Sequence, residues 1–332
     1  MQRYQIKTLN GKIPVHVMAP EKFGGEYDRR SPLYVGAVWF ASALALTTNL
    51  SQALFRKATN GREATLGRIL WDMGRDPDHV SCFLVDRFSR YNHQSKWGAA
   101  GWRSLDLFYN YREKVQPKLN RDFEGWITRQ WIEKCENRQA VTNRMKIVVD
   151  LLSQTLASFS REQEIRLLSI ASGSAQAVIA AMKRHPALSV RALLIDFDPS
   201  AIEEAKRMAG EAGLGDRFDF IRDTTKVMER AAAAFKPHII EMVGFLDYRP
   251  RNKAIGLIKR IRACLPDGGA FLTCNIRKNR EKIFLDWILL WPMIYRSEEE
   301  FAELLLGGGF SPDKIQLIYE PFKIHGIAVC RK

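Results

Sequence analysis

The spacing of hydrophobic and polar positions changes near residue 160. Across residues 33–160 the apolar positions recur at helical spacing, which predicts a mainly helical region. From residue 164 onward, short apolar runs alternate with helical patterns, as is typical of an α/β domain with a parallel sheet. Residues 1–20 alternate around an Asn-Gly pair, which predicts a β-hairpin. We therefore expect two domains, a mainly helical one with an initial hairpin over residues 1–135 and an α/β one over residues 136–332.

The stretch from Glu164 to Asp198 predicts the opening unit of the α/β domain. A short apolar run is followed by a small-residue turn centred on Gly173, a helical pattern and a second apolar run that ends in acids. This order of strand, turn, helix and strand is typical of sheets that bind nucleotides or nucleosides, although such a turn is also often only structural. One glycine stands where a pyrophosphate-binding loop usually has three, which favours a smaller nucleoside ligand.

The alternation continues to the end of the chain. The third strand is RFDFIRD, the fourth is within HIIEMVGFLDY, the fifth is AFLTCNI, and two more strands, KIQLIYEP and HGIAVCRK, follow the last helix. In an open parallel sheet, ligands bind at the carboxyl ends of the strands. We therefore expect Glu241–Tyr248, at the end of the fourth strand, to border both a cofactor and an acceptor.

Two motifs in the α/β region resemble those of a known superfamily. LLSIASGSA resembles motif I of the class I S-adenosylmethionine-dependent methyltransferases, with Gly173 matching the central glycine. LLIDFDPSAIEEA resembles their second motif, in which the acid closing the strand holds both ribose hydroxyls, and Asp196 matches that acid. The chain departs from motif I at three positions, since the family's acid is Ser169 here and two of its glycines are Ala171 and Ala175.

The resemblance covers roughly residues 138–332 and implies both a fold and an activity. The implied fold is a Rossmann-like seven-stranded methyltransferase sheet with helices on both faces and an antiparallel last strand, preceded by the mainly helical N-terminal domain. The implied cofactor is S-adenosyl-L-methionine, and Asp223 either matches the position that contacts the adenine amino group or is a surface acid that caps the next helix. The residues expected around the cofactor are Ala171, Ser172, Gly173, Ser174, Gln176, Asp196, Phe197, Asp223, Thr224, Val243 and Gly244.

Methyl transfer from a sulfonium chiefly requires an acceptor held in line, and a hydroxyl acceptor must also lose a proton. The candidate catalytic residues are Asp247, Tyr248, His325 and Tyr295. His325 has a structural alternative as a hydrogen-bonded residue, and Tyr295 with Arg296 either binds an anionic acceptor or lies on a helix surface. Arg138 and Arg144, on the helix before the first sheet strand, either contact a carboxylate or the acceptor or lie on the surface.

The order of elements after the fourth strand is similar to that of a bacterial methyltransferase group that includes hydroxy-fatty-acid methyl ester synthases. This similarity favours a small, anionic or amphiphilic acceptor, such as a carboxylate or a lipid-like molecule. Thr273-Cys274 also resembles the nucleophile motif of RNA cytosine-5 methyltransferases, but their proline-cysteine pair after the fourth strand is missing here. Cys274 is therefore expected to be a buried small residue.

Charge, composition and the motif departures leave two alternative functions open. The 332 residues are 46% hydrophobic and 27% charged, which is a globular composition, and the net charge of +14 favours anionic partners, including nucleic acid. Basic and aromatic residues are interleaved in the N-terminal region, where they either stack on nucleic acid or cover packed helices. An RNA methyltransferase is therefore the second hypothesis. The departures at Ser169, Ala171 and Ala175 suggest a third, an interaction protein with the cofactor fold and no catalysis.

The cysteines and the longest apolar run bear on location. Five cysteines without paired spacing suggest neither a disulfide framework nor a zinc site, so a reducing cytoplasm is expected. The run Leu33–Leu46 has fourteen residues, short of the ~20 that a membrane span needs, and it starts too late for a secretion signal. A buried helix is favoured there over a membrane-surface helix, and the oligomeric state is left open.

Overall fold

The computed structural model describes residues 2–8, 11–24, 26–28, 32–59, 73, 76, 87–159 and 164–332. The chain separates into two compact units. Unit 1 consists of Met1–Gly24, Asn143–Lys278 and Ile294–Lys332, and unit 2 of Gly25–Thr142 and Asn279–Met293. The domain division expected between residues 135 and 136 stays a prediction. Of the five cysteines, Cys82 lies outside the described residues.

A nine-stranded mixed sheet forms the centre of unit 1. Its order is β1-β2-β8-β9-β7-β6-β3-β4-β5. The strands are β1 Gln2–Thr8, β2 Gly11–Val17, β3 Ile165–Ile170, β4 Val190–Asp196, β5 Phe218–Arg222, β6 Ile239–Met242, β7 Ala270–Ile276, β8 Ile315–Tyr319 and β9 His325–Arg331. Strands β3 to β7 are parallel to their neighbours in this group, and β9 is antiparallel to β7 and β8.

The expected α/β class is confirmed, but the expected count of seven strands is wrong. The predicted N-terminal hairpin is present as β1 and β2, and β2 pairs in parallel with β8, where Val15 lies opposite Leu317. Ile13, Val15 and Val17 are buried at alternate positions of β2, as expected for a strand with one face on a core. The hairpin covers the edge of β8, which would otherwise present unpaired backbone groups.

The described helices are α1 Pro32–Thr59, α2 Arg90–Trp97, α3 Trp102–Tyr109, α4 Phe123–Thr128, α5 Glu136–Ala157, α6 Gln176–Lys183, α7 Pro199–Glu211, α8 Met228–Phe235, α9 Arg251–Cys264, α10 Lys282–Trp287 and α11 Glu298–Gly307. In unit 1 they cover both faces of the sheet. Leu168 and Ile170 of β3 share a core with residues of α8, α9 and α11, whereas Ile165 and Leu167 share another core with residues of α5, α6 and α7. Because side chains alternate along a strand, these two cores lie on opposite faces.

Unit 2 is helical in its described parts. The Glu281 carboxylate accepts hydrogen bonds from the amides of Glu136 (2.9 Å) and Asn137 (2.8 Å), at the N-terminus of α5. A carboxylate is favourable there because helix N-termini carry unpaired N–H groups and a partial positive charge. Trp131 stacks on Phe284 with ring centroids 5.0 Å apart. These contacts join 279–293 to the helices that precede them in unit 2.

The helix expected over Leu33–Leu46 is present within α1, but it is not buried throughout. Tyr34 and Val38 are buried, one helical turn apart, whereas Trp39 is 50% exposed and Phe40 is 74% exposed. The expectation of a buried helix is therefore wrong for one side of α1. The described part of the chain contains no helix that could span a membrane.

Candidate active site

The expected site residues of unit 1 meet at one edge of the sheet. Strands β3 to β7 run parallel, so their carboxyl ends share an edge, and the turn after β3, Asp196 and Val243 all lie there. Strand β9 is antiparallel to β7 and begins at this edge, where His325 pairs with Ile276. This is the edge at which open α/β sheets bind their ligands.

The turn after β3 has a left-handed backbone at three alternate residues. The φ angles of Ala171, Gly173 and Ala175 are 52°, 54° and 53°. Gly173 adopts this conformation at little cost, whereas each alanine is strained by roughly 1 kcal/mol or more. The turn therefore keeps a conformation suited to glycine at both positions where alanine replaces the glycine of the motif.

Asp196 connects this turn to the neighbouring strand ends. Its buried carboxylate accepts hydrogen bonds from the amides of Gly173 (2.8 Å) and Asp198 (2.9 Å), one on each oxygen. Its carbonyl accepts a hydrogen bond from the amide of Asp223 at 3.0 Å, at the end of β5.

Each carboxylate oxygen of Asp196 has a further lone pair, so both can also accept from the two hydroxyls of a ribose. The buried Oγ of Ser172, which has no hydrogen-bond partner among the described residues, is a further polar group that a nucleoside could satisfy. These hydrogen-bonding groups thus fit the ribose of S-adenosylmethionine.

The other residues expected around the cofactor lie on the same edge, with different exposures. Gln176 donates to Ser174 Oγ at 3.3 Å, and both side chains are buried. Phe197 follows Asp196 and is 72% exposed, so its ring can cover a planar base. Thr224 is exposed and accepts from the amide of Lys226 at 3.4 Å.

Gly244 has a φ of 82°, and its amide donates to Cys274 Sγ at 3.1 Å. This left-handed conformation favours glycine at that position. Val243, the residue before it, donates its amide to the Glu241 carboxylate at 3.0 Å. The loop after β6 is thereby tied both to its own strand and to β7.

Glu241 is a carboxylate in a buried strand, and sequence reasoning gave it no role of its own. Besides the amide of Val243, its carboxylate accepts a hydrogen bond from Ser169 Oγ at 2.5 Å. Burial raises the pKa of Glu241 to about 7, and the hydrogen bonds from Ser169 and Val243 and the charge of Arg144 oppose this rise. The sequence signals were its place in the range expected to border the cofactor and the acid inside the apolar run HIIEMV.

The Arg144 guanidinium lies among four titratable groups of unit 1. Its Nη1 is 3.7 Å from Cys274 Sγ, and its charge acts on Glu241, Asp247, Cys274 and His325. Arg144 is 3% exposed, so the surface alternative is wrong for it. Arg138 is equally buried but belongs to unit 2, where it pairs with Glu26.

Asp247 and His325, two of the four expected catalytic residues, belong to this cluster. Asp247 accepts from the amide of Ile276 at 2.8 Å, and burial raises its pKa to about 6. His325 is 2% exposed, and within the described residues neither ring nitrogen has a hydrogen-bond partner. Burial and the charge of Arg144 hold the pKa of His325 well below its ordinary value of 6.5, so the imidazole is neutral at neutral pH.

The other two, Tyr248 and Tyr295, are half-buried on chain segments next to Asp247. Tyr248 ends the short helical turn Leu246–Tyr248, and Tyr295 follows Ile294, whose amide donates to the Asp247 carbonyl at 2.7 Å. Their catalytic role stays a prediction.

Two neighbouring candidates, Arg296 and Cys274, contact other parts of the chain at this edge. Arg296 is buried and donates hydrogen bonds to the carbonyls of Leu246 and Arg249 and to the Asn275 side chain, so it holds the loop after β6 in place. Burial raises the pKa of Cys274 to about 12, which keeps the thiol protonated, in keeping with the expectation of a buried small residue.

A sheet covered by helices on both faces, with a left-handed turn after β3 and an acid closing β4, is an arrangement found in the S-adenosylmethionine-dependent methyltransferases. Residues 94–332 match the model of a family described as "Putative methyltransferase". The chain belongs to this family, and its cofactor is S-adenosylmethionine.

Three solved structures are similar to the chain, and the first of them shares its fold. A "possible exported protein" from Bordetella parapertussis is 14% identical over 92% of this chain and 99% of that chain, with a TM-score of 0.59. An O-methyltransferase family protein from Burkholderia thailandensis is 13% identical over 69% of this chain and 71% of that chain, with a TM-score of 0.46. An O-methyltransferase family 2 protein from Planctomyces limnophilus, solved with apigenin, is 14% identical over 91% of this chain and 95% of that chain, with a TM-score of 0.46. No curated protein matches the sequence.

Proposed function

We propose that the protein transfers the methyl group of S-adenosylmethionine to an oxygen of a small, anionic or amphiphilic acceptor. The observation that carries this proposal is the buried, neutral imidazole of His325 beside the charge of Arg144. Buried polar groups are normally hydrogen-bonded, and His325 has no such partner among the described residues. A polar group of the acceptor at this edge would satisfy the imidazole.

The charges around His325 favour an acceptor that is already anionic. A histidine whose pKa lies well below 6.5 is a weak base, but its neutral ring still donates one N–H hydrogen bond. The guanidinium of Arg144 attracts negative charge to the same cluster. A carboxylate needs no base before it reacts, so donation from His325 and attraction by Arg144 would together hold and orient the reacting oxygen.

The bound cofactor supplies an electrophilic methyl group on a positively charged sulfur. On transfer, the acceptor oxygen would form the new bond to carbon as the carbon–sulfur bond breaks, with the electron pair of that bond left on sulfur. No proton moves in this step when the acceptor is a carboxylate. Asp247 would keep the loop after β6 in place by accepting the hydrogen bond from the Ile276 amide.

The test is to incubate the purified protein with methyl-labelled S-adenosylmethionine and a cell extract, then to separate lipid, small-molecule, protein and RNA fractions. We expect label in the small-molecule or lipid fraction, and mild alkali should release it as methanol, because a methyl ester hydrolyses and an ether does not. Label confined to RNA would overturn the proposal and support the RNA methyltransferase alternative. Label confined to protein would equally overturn it.

A histidine variant then tests the site. His325→Asn should lower labelling by roughly tenfold or more, the effect of losing a hydrogen bond to a charged group, while binding of S-adenosylhomocysteine is unchanged. His185→Asn is the matched control, since His185 is a half-buried histidine hydrogen-bonded to Ser153 on the surface of unit 1. Full activity of His325→Asn would show that this residue does not contact the acceptor.

A cytoplasmic location stays a prediction from the cysteine pattern.

A further inference from the structure

The buried pair formed by Glu241 and Ser169 lies beside the cofactor turn. The two residues are directly opposite each other in the register of β6 and β3. Ser169 is fully buried, Glu241 is 6% exposed, and the serine hydroxyl donates to the carboxylate. The chain therefore places a carboxylate next to the position where motif I of the superfamily has its acid and this chain has a serine.

The order of the strands relates Glu241 to the ribose site. Strand β3 lies between β6 and β4 in the sheet, so the turn after β3 is in the middle. Asp196 lies on the β4 side of this turn and Glu241 on the β6 side. Neighbouring strands are about 4.8 Å apart, so β4 and β6 are separated by roughly 10 Å. A molecule that places its ribose on Asp196 and extends across β3 would bring its other end to β6. In S-adenosylmethionine that other end is an amino acid, with an ammonium and a carboxylate group.

The carboxylate of Glu241 has the chemistry to hold the ammonium group. It accepts two hydrogen bonds from the described residues, from Ser169 and Val243, whereas a carboxylate offers about four acceptor positions. A buried charge is costly unless it is paired. The charge of Arg144 already acts on Glu241, and an ammonium group would add a charged, hydrogen-bonded partner. The Ser169 hydroxyl carries no charge and cannot provide it.

We propose that Glu241 binds the α-ammonium group of S-adenosylmethionine and thereby replaces the acid that motif I lacks at Ser169. The proposal rests on the use of this cofactor and not on the identity of the acceptor. Its tests therefore use the demethylated product alone, without methyl transfer, and they can fail or succeed independently of the acceptor proposed above.

The main test compares two ligands that differ only at the amino-acid end. S-adenosylhomocysteine carries the ammonium group, whereas 5′-methylthioadenosine retains the adenosine and lacks the amino acid. By calorimetry, Glu241→Gln should weaken binding of S-adenosylhomocysteine by roughly tenfold to a hundredfold, as expected for a hydrogen bond between charged groups. Binding of 5′-methylthioadenosine should change by less than about twofold. An equal loss for both ligands, or no loss for either, would overturn the proposal.

Two variants at residue 169 separate the charge from the packing. Ser169→Ala removes the hydroxyl but keeps the Glu241 carboxylate, and should retain most of the affinity for S-adenosylhomocysteine. The double variant Glu241→Gln with Ser169→Asp returns an acid to the other side of the pair and should recover affinity relative to Glu241→Gln. Retained binding of 5′-methylthioadenosine will show that the double variant is folded. If the folded double variant does not recover affinity, an acid on β3 cannot replace the Glu241 carboxylate on β6, which would count against the proposal.

Proton release provides a test that needs no variant. Because burial raises the pKa of Glu241 to about 7, part of the free protein carries a proton there at pH 7. Pairing with an ammonium group would lower that pKa and expel the proton. Calorimetry at pH 7 in buffers of different ionisation enthalpy should show proton release with S-adenosylhomocysteine and none with 5′-methylthioadenosine. The same proton count for both ligands would overturn the proposal.

Discussion

Replacement of Asp196 by asparagine tests the ribose site most directly. In the wild type, the two carboxylate oxygens of Asp196 accept one hydrogen bond each, from the amides of Gly173 and Asp198. The asparagine side chain has one oxygen and one NH2 group, so one of the two backbone N–H groups would face another donor. Leaving such a donor unsatisfied costs about 1–3 kcal/mol. The variant without cofactor should therefore melt several degrees below the wild type.

The loss of affinity follows from the same geometry. A hydrogen bond to a charged group contributes about 1.5–3 kcal/mol and a neutral one about 0.5–1.5 kcal/mol. In the variant, one ribose hydroxyl would keep a weaker, neutral bond to the amide oxygen, and the other would have to accept from the NH2 group, so the net loss is about 2–3 kcal/mol. The dissociation constant of S-adenosylhomocysteine should rise by roughly 30-fold to 150-fold.

Calorimetry with S-adenosylhomocysteine measures this effect, and Asp198→Asn is the matched control. Asp198 is two residues further on, and its carboxylate accepts from the amide of Ser200 at 2.8 Å, at the start of α7. This control loses a charge of the same sign nearby and should bind within about threefold of the wild type. If Asp196→Asn also binds within threefold, or if both variants weaken equally, Asp196 does not hold the ribose.

Three further predictions concern the backbone and pH. Ala171→Gly should raise the melting temperature by about 1–3 °C, because glycine relieves the left-handed conformation at φ 52°; a decrease would show that the alanine is not strained. Gly326→Ala should cost about 1–3 kcal/mol in unfolding free energy, because its β-carbon would lie 2.5 Å from the buried ring of Tyr319. Gly256→Ala, on α9 with open space around its β-carbon, should instead be neutral or slightly stabilising, and equal losses in the two variants would contradict the steric argument. The pKa of Glu241, raised by burial from 4.5 to about 7, means that its contribution to stability is present below about pH 4.5 and is lost as the pH rises through 7. Glu241→Gln, which cannot ionise, should therefore gain roughly 3 kcal/mol relative to the wild type between pH 4.5 and 8 in urea unfolding, and a constant difference would contradict the raised pKa.

Local sequence patterns predicted the cofactor half of the site. The strand, turn and helix around Gly173 follow from spacing that is local in the chain, and the acid at Asp196 ends the next apolar run. Because parallel strands place their carboxyl ends on one edge, the sequence was enough to expect these residues together. The cofactor class followed from the same motifs.

The sheet edge and the charged cluster depended on the tertiary structure. The alternating pattern of residues 1–20 predicted a hairpin, but only long-range pairing of β2 with β8 added it to the main sheet. Arg144 and His325 are likewise far apart in the chain, by 181 positions. They come together because β9 begins with His325 at the sheet edge where Arg144 of α5 lies.

Glu241 shows the physical limit of prediction from sequence most clearly. Its apolar neighbours indicate burial, but its partner Ser169 lies 72 positions earlier, on a strand that is adjacent only in the folded sheet. Hydrophobic spacing determines which residues form strands and which faces are buried, because both depend on neighbours along the chain. Which buried polar groups meet depends on strand order and register, and these are decided by packing across the whole sheet.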